Sequence, residues 1–180
     1  MGSRSLSAAD AISALYSLGV TMASASAKPA RPGRSNKSDC AAINGVELSP
    51  FRFKGWLGKR LTASYGWRYD FDTGSFGPAD PIPERLLPLR EKAAGFARLA
   101  PDDLVQALVI RYDPGAGIGW HRDWPVFEHV IGVSLGAPAT MRFRRRRPGG
   151  FDRASALLVP RSIYHLALRD CSFLLALWDL

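Results

Sequence analysis

The sequence predicts an α+β protein in which helices precede a run of short strands. Apolar residues recur close to a helical period from Pro83 to Leu99, which predicts a helix. Two later stretches, Leu108 to Tyr112 and Val130 to Leu135, are short and continuously apolar, as buried strands are. A third stretch, from Ala139 to Arg147, alternates small or apolar residues with basic ones, which is typical of a strand. The second half of the chain is therefore predicted to be rich in sheet.

Four further patterns complete the predicted order of elements. A short helix is predicted from Ala8 to Tyr16, and an aromatic-rich strand from Thr62 to Phe71. The Pro101-Asp102-Asp103 segment places carboxylates early in a turn or short helix that runs to Leu108. Ser155 to Pro160 then gives a fourth strand of the sheet-rich part.

Composition favours one globular domain with a flanking arm. The chain has 180 residues, of which 47% are hydrophobic, enough to build a core. No run approaches the ~18 to 20 apolar residues that span a bilayer, so no membrane segment is predicted. The net charge of +8 favours anionic partners such as nucleic acid, although an arginine-rich composition throughout the source genome explains it equally well.

The two cysteines, Cys40 and Cys171, lie far apart and outside any CxxC pattern. This arrangement favours neither a disulfide framework nor a cysteine-based zinc site, and it is typical of a reducing compartment. We therefore expect a cytoplasmic protein, and we expect it to be a monomer.

Residues 1–44 are predicted to form a flexible or disordered arm ahead of a domain that covers residues 45–180. Ser24 to Ser38 combines two prolines and a glycine with scattered cations, as linkers do. Two alternatives stay open. The semi-apolar stretch from Ala11 to Ala23 resembles a signal peptide, and Met22 is a possible second start site.

The segment that carries most chemical information is His121-Arg122-Asp123, which follows an apolar strand and a Pro/Gly turn. Side chains two positions apart on an extended segment share one face, so an imidazole and a carboxylate can hold one metal ion together. A second histidine would complete the 2-His-1-carboxylate set of non-heme Fe(II) oxygenases. The competing interpretation is a solvated surface pair without metal.

The chain offers two other histidines as third ligand. His129 falls six residues after Asp123, where we expect a solvated loop. His165 lies 42 residues after Asp123 and is the candidate for the missing metal ligand, although strand alternation would direct it away from the side of Tyr164.

Arginines at positions 144, 145, 146 and 147 form the strongest basic cluster and are predicted to contact nucleic-acid phosphates. The alternative is a solvated hairpin tip, because Gly149 and Gly150 mark a turn directly afterwards. Trp67, Arg68 and Tyr69 could hold a base that is flipped out of a duplex, or they could simply fill a strand.

Several motifs, taken in order, resemble those of the AlkB-type 2-oxoglutarate- and Fe(II)-dependent dioxygenases. The resemblance runs from about residue 45 to 164 and rests on these segments: Phe51-Arg52-Phe53-Lys54-Gly55-Trp56-Leu57-Gly58-Lys59-Arg60, Ser64-Tyr65-Gly66-Trp67-Arg68-Tyr69-Asp70-Phe71, Ala79-Asp80-Pro81-Ile82-Pro83, Leu86-Leu87-Pro88-Leu89, Tyr112 to Asp123, Val130 to Gly136, Met141-Arg142-Phe143-Arg144 and Leu158-Val159-Pro160-Arg161-Ser162.

The resemblance implies a double-stranded β-helix, which is a jelly-roll-like barrel, with N-terminal helices. It implies Fe(2+) and 2-oxoglutarate as cofactors and His121 and Asp123 as iron ligands. Tyr112 matches a family tyrosine that hydrogen-bonds 2-oxoglutarate, although it suits packing inside the barrel equally well. Ile110 stands where some members have an asparagine. The implied reaction is oxidative dealkylation of alkylated DNA or RNA.

The C-terminal part departs from the family. Members carry their second iron-binding histidine in a "W-x-H-S-I" segment and the 2-oxoglutarate arginine in a following "R-Y-S-x-T-F-R" strand. Residues 171–180 contain no histidine, and Arg169 is too close to His165 to match that arginine. We therefore expect a barrel that is incomplete at its C-terminus. A shifted reading frame or a truncated gene is the simplest hypothesis for this change.

Three functional hypotheses follow. The first is a dealkylating dioxygenase of the DNA/RNA repair type, impaired by loss of the second iron histidine and the 2-oxoglutarate arginine. The alternative is a non-catalytic basic remnant of a dioxygenase that binds nucleic acid without metal. The third is a poorly folded product with no molecular role. Whether the chain is an enzyme is left open at this point.

Overall fold

A computed structural model describes residues 15–18, 42–70, 72–122, 127–167 and 173–178. Within these residues the chain is mostly β-structure with a single long helix. The elements, in chain order, are β1 (Leu15–Leu18), β2 (Ser49–Phe53), β3 (Trp56–Tyr65), β4 (Trp67–Tyr69), β5 (Phe76–Pro78), a 3-10 helix (Glu84–Leu86), α1 (Leu87–Ala97), a second 3-10 helix (Pro101–Asp103), β6 (Gln106–Arg111), β7 (Ile118–His121), β8 (Phe127–Ser134), β9 (Ala139–Arg147), β10 (Gly150–Leu158), β11 (Ser162–Ala167) and β12 (Phe173–Trp178).

The described strands form two larger sheets and one small ribbon. The six-stranded sheet has the order β11-β8-β1-β6-β3-β2, the four-stranded sheet has the order β10-β9-β12-β7, and β4 pairs with β5. Strand β1 runs parallel to both β6 and β8, whereas the other paired strands are antiparallel. In the described part of the chain, the sheets stay separate and do not close into a barrel.

Two hydrophobic clusters cover the two faces of the larger sheet. On one face, buried residues of α1 pack against Leu104, Ile131 and Ile163. On the other face, Val130 and Leu166 pack against residues of the four-stranded sheet. Because successive side chains of a strand point to opposite sides, neighbours in β8 and β11 serve different clusters. We call the side toward α1 the helix face and the side between the two larger sheets the inner face.

Most of the elements predicted in the second half of the chain are confirmed. The helix predicted between Pro83 and Leu99 is present as a 3-10 turn followed by α1. Strand β9 has the predicted bounds, and its burial alternates over the first half of the strand. The two apolar runs form β6 and β8. The fourth strand is also present, but it begins earlier than predicted, at Gly150 directly after the hairpin turn, and ends at Leu158.

Two predictions of local structure are wrong at least in part. Leu15 and Tyr16 belong to strand β1 and not to a helix, because their backbone pairs with β8. The rest of that predicted helix lies outside the described residues. The turn at Pro101 ends at Asp103 instead of continuing to Leu108. In both cases, pairing within the sheet outweighs local propensity.

The strand predicted from Thr62 to Phe71 is divided into β3 and β4 at Gly66. The backbone of Gly66 has a φ of +77°, a conformation that residues with a side chain rarely adopt. Its N–H donates to the Asp80 carbonyl at 2.6 Å, and its carbonyl accepts from the Ala79 N–H at 2.9 Å. These two bonds fix the corner where the chain leaves the large sheet.

Most of the predicted arm of residues 1–44 lies outside the described residues, including Met22 and the segment that resembles a signal peptide. The arm and the domain boundary at residue 45 therefore stay predictions. Among the residues that the structure describes, no helix is both long and apolar enough to cross a membrane.

Candidate functional site

The inner face is apolar, and two tyrosines contribute to it. Tyr112, directly after β6, and Tyr164, in β11, pack against the inner cluster that contains Val130, Phe143 and Leu175. Burial raises the pKa of Tyr164 well above its ordinary value, and the neighbouring Tyr112 raises it further. The phenol of Tyr164 is therefore neutral at physiological pH and keeps its proton for hydrogen bonding.

His121 lies at the end of β7, on the strand pair that borders this inner cluster. Its ladder partner is Leu175 of β12, and Leu175 in turn is opposite Phe143 of β9. Residues directly opposite each other in a ladder share one face of the sheet. Since Leu175 and Phe143 are buried in the inner cluster, the register places His121 on the inner side as well.

The ring of His121 is oriented by a hydrogen bond to the backbone. Its Nδ1 lies 2.8 Å from the carbonyl oxygen of Gly119. A carbonyl can only accept, so Nδ1 carries a proton and donates it. Metal-binding histidines commonly use this arrangement, in which one ring nitrogen donates to a carbonyl and the other faces the metal.

Asp123, the predicted partner of His121, lies outside the described residues. In the described ranges, no group of three or more His, Cys, Asp or Glu side chains lies close enough to hold a metal ion. The described residues thus fit an Fe(II) centre only in part: they supply one imidazole with a suitable Nδ1 hydrogen bond and do not supply a complete ligand set.

His165 is on the other side of the large sheet, next to His129. The His129 Nδ1 and the His165 Nε2 are 2.8 Å apart, and the ring centroids are 4.9 Å apart. His165 alternates with Tyr164 and Leu166 of the inner face, so it shares the helix face with Ile163. The structure therefore pairs His165 with His129 and directs it away from the inner side, where the register places His121.

The expectation that His129 occupies a loop is wrong, because His129 lies within β8. Its diagonal position relative to His165 follows from the register of β8 and β11, in which Ala167 is opposite His129 and Ile131 is opposite His165. The two histidines are 36 positions apart, and only the pairing of these strands brings them together. No local sequence signal indicates it.

His165 is expected to lower the stability of the fold as the pH falls. Burial lowers the pKa of His165 below its ordinary value of 6.5, and the charge of His129 lowers it further. Between that lowered pKa and 6.5 the unfolded chain binds more protons than the folded chain. The contribution of neutral His165 to the free energy of unfolding is therefore complete above pH 6.5. It is lost progressively as the pH falls from 6.5 to the lowered pKa of the folded state.

Urea unfolding at several pH values between about 5 and 8 measures this pH dependence of stability in the wild type and in His165→Gln. The variant should show a shallower loss of stability on acidification, since glutamine does not titrate. An identical pH dependence in the two proteins would contradict the assignment.

The arginine cluster is divided between the two sides of the β9–β10 hairpin. Arg145 and Arg147 pair with Asp152, at 3.3 and 3.2 Å. Arg144 instead lies over the ring of Trp120, with its guanidinium carbon 4.3 Å from the ring centroid. The four arginines that the sequence presents as one run therefore have different surroundings.

The Trp67-Arg68-Tyr69 segment, considered for base flipping, forms the short strand β4. Trp67 stacks on Phe76 of the neighbouring strand β5, with ring centroids 5.2 Å apart and planes 11° apart. This stacking is an ordinary cross-strand aromatic pair.

Taken together, the described residues are those of a jelly-roll-type protein, with two facing sheets, a histidine that the register places on the inner side, and two tyrosines packed against the apolar cluster there. A family model described as "2OG-Fe(II) oxygenase superfamily" matches residues 46–175. The chain belongs to the 2OG-Fe(II) oxygenase superfamily, and the resemblance found in its motifs is thereby confirmed. Membership implies Fe(2+) and 2-oxoglutarate as cofactors.

Among solved structures, the chain is similar to the one described as "The structure of OsALKBH1". The two share 16% sequence identity with a TM-score of 0.53, over 83% of this chain and 86% of the other. At this identity the likeness is one of fold, and the fold is the AlkB type. A comparison with curated proteins gave no match.

Proposed function

We propose that this protein is a 2-oxoglutarate- and Fe(II)-dependent oxygenase that removes alkyl groups from alkylated DNA or RNA. Membership of the superfamily supports the oxygenase chemistry, and the AlkB-type fold together with the positive net charge of +8 supports a nucleic-acid substrate. The observation on which the proposal most depends is the placement of His121. Its register puts it on the inner side of the sheets, and its Nδ1 donates to the Gly119 carbonyl, as in many metal-binding histidines.

His121 and Asp123 would hold the iron. When bound with 2-oxoglutarate and dioxygen, iron supplies oxidation of a C–H bond of the alkyl group, with succinate and carbon dioxide as products and the alkyl group leaving as an aldehyde. His165 lies on the helix face of the large sheet, whereas the register places His121 on the inner side. We therefore do not expect His165 to be the third ligand. With two protein ligands, we expect weak retention of the metal, because affinity follows the number and geometry of ligands.

The other residues of the inner face would bind the cosubstrate and exclude water. Tyr112 lies on this face, where its phenol can donate to a carboxylate of 2-oxoglutarate. The apolar side chains of Val130, Phe143 and Leu175 keep the neighbouring space dry, which strengthens such a hydrogen bond.

The direct test is release of succinate by the purified protein with Fe(II), 2-oxoglutarate and an N-methylated oligonucleotide. The unmethylated oligonucleotide of the same sequence is the control. We expect succinate and formaldehyde in equal amounts, and only with the methylated strand. We also expect the amounts to rise above background only when Fe(II) is present in excess. Absence of turnover under all of these conditions would reject the proposal.

A second candidate function is binding of nucleic acid without catalysis. The net charge of +8 and the arginine-rich strand β9 favour it. This candidate predicts binding that needs no metal and weakens steeply with salt, as expected when arginines neutralise phosphates. Binding in the presence of a chelator, combined with no succinate release, would select this candidate over the first.

A further inference from the structure

The β9–β10 hairpin presents its arginines on two different sides. Met141 and Phe143 of β9 are buried in the inner cluster, so alternation sends Arg144 and Arg146 to the opposite, outer side. The ladder pairs Arg144 with Arg153 and Arg146 with Phe151. Directly opposite residues share a face, so these four side chains form one surface, which we call the outer hairpin face.

The acidic charge of the hairpin lies on the other side. Asp152 is the only acidic residue between positions 139 and 158, and it forms ion pairs with Arg145 and Arg147. Its neighbours in β10, Phe151 and Arg153, point the other way. The outer hairpin face therefore carries three guanidinium groups and no acidic residue of the hairpin, whereas the side of Asp152 is partly neutralised.

Aromatic rings separate the cations of this face. The Arg144 guanidinium carbon lies 4.3 Å from the ring centroid of Trp120 and 5.1 Å from that of Phe151. Arg153 lies 5.9 Å from the same Phe151 ring. These cation–π contacts hold the long side chains in place, which reduces the entropy lost when they bind an anion. Phe151 itself is 37% exposed, so part of its ring is available to a stacking partner.

A depression of about 560 Å³, largely open to solvent, lies at the tip of the hairpin and is lined by residues 146–151. Sites for small molecules typically have volumes of about 300 to 1,000 Å³, so its size is compatible with one nucleotide unit of a longer strand. Arg146 and Phe151 both line it, so a residue that can bind a phosphate lies beside one that can stack on a base.

We propose that the outer hairpin face binds single-stranded nucleic acid, with phosphates on Arg144, Arg146 and Arg153 and one base stacked on Phe151. Proteins commonly bind single strands with alternating arginine and aromatic side chains. The arginines contact phosphates, and an unstacked base can lie on an aromatic ring. In a duplex the bases are already stacked, and only the phosphates would remain for contact. This inference rests on the proposed function for its substrate class, nucleic acid. It adds which surface of the protein binds the nucleic acid and that the bound form is single-stranded.

The test compares variants that remove the same charge from opposite sides of one strand. Fluorescence anisotropy with a labelled, unmethylated oligothymidylate of about 15 nucleotides, in the presence of a chelator, measures the Kd at several salt concentrations. We expect Arg146→Ala to raise the Kd at least about fivefold and to reduce the salt slope by about 0.7, the value for one phosphate of a single strand. Arg145→Ala, the matched control, should change the Kd less than about twofold.

The aromatic part of the proposal has its own variant. Phe151→Leu keeps an apolar side chain but removes the ring, and it should raise the Kd at least about fivefold, since one stacked base contributes about 1 to 3 kcal/mol. The same DNA as a duplex should bind the wild type more weakly than the single strand. Thermal melting of each variant shows whether the hairpin is still folded.

Equal losses for Arg146→Ala and Arg145→Ala, or a duplex that binds as tightly as the single strand, would overturn the proposal. The experiment needs neither metal nor turnover, so its result is separate from that of the succinate assay. Turnover without an effect of Arg146→Ala rejects the surface and keeps the function. Selective binding without turnover keeps the surface and rejects the function.

Discussion

Replacing Gly66 by alanine is expected to destabilise the fold by about 3 kcal/mol or more. With φ at +77°, any residue with a side chain is strained at this corner, at a cost of about 1 to 2 kcal/mol. An added Cβ would also overlap the carbonyl oxygen of Val105, which belongs to the backbone and cannot rotate away. Relief of that overlap would displace the corner between β3 and β4 and the two hydrogen bonds that Gly66 makes with residues 79 and 80.

Urea or thermal unfolding followed by circular dichroism measures this loss. Gly77→Ala in β5 is the matched control, because an added Cβ at Gly77 meets no atom within 4 Å. We expect the control to change the free energy of unfolding by less than about 1 kcal/mol. If both substitutions had the same small effect, the tight corner at Gly66 would be refuted.

Replacing His121 by alanine is expected to reduce succinate release at least about 100-fold. Loss of partners that merely orient a metal ligand commonly costs 10- to 100-fold, so loss of a ligand itself should cost at least as much. The effect should appear in kcat and in the Fe(II) concentration needed for half-maximal rate, because the imidazole acts through the metal.

His165→Ala serves as the comparison for His121→Ala. The two substitutions remove the same side chain from opposite faces of the fold, since His165 is paired with His129 on the helix face. We expect His165→Ala to retain activity within about threefold once the protein is folded, as judged by its near-UV circular dichroism. If it abolished turnover as fully as His121→Ala, His165 would be the third ligand after all, and the proposed ligand set would be wrong.

Patterns with a short period were sufficient to predict much of the fold. The alternation from Ala139 to Arg147 predicted β9 with its observed bounds, because one side of that strand packs on the inner cluster and the other meets solvent. The helical period after Pro83 predicted α1 for the same reason, as three of its residues are buried. Strand β1 was not predicted, because the pairing of Leu15–Leu18 with β6 and β8 is set by distant residues.

The candidate site was predictable only where its signal is local. The spacing of His121 and Asp123 is visible in the chain, and the family match then supports the chemistry that this spacing suggests. The pairing of His129 with His165 depends on the register of β8 and β11, and no pattern within either segment encodes that register. Likewise, the run of arginines after Phe143 looks uniform in the sequence, although Asp152 faces only Arg145 and Arg147.

The sequence alone was enough to indicate the superfamily, the sheet-rich second half and the His121–Asp123 spacing, because motifs and short-period patterns can be read directly from the chain. The side of a sheet that each histidine and arginine occupies came only from the folded chain. Strand pairing joins residues tens of positions apart, and a shift of one position in register would move every side chain to the opposite face. For this protein, that difference separates His121 from His165 and the outer arginines from those that Asp152 neutralises.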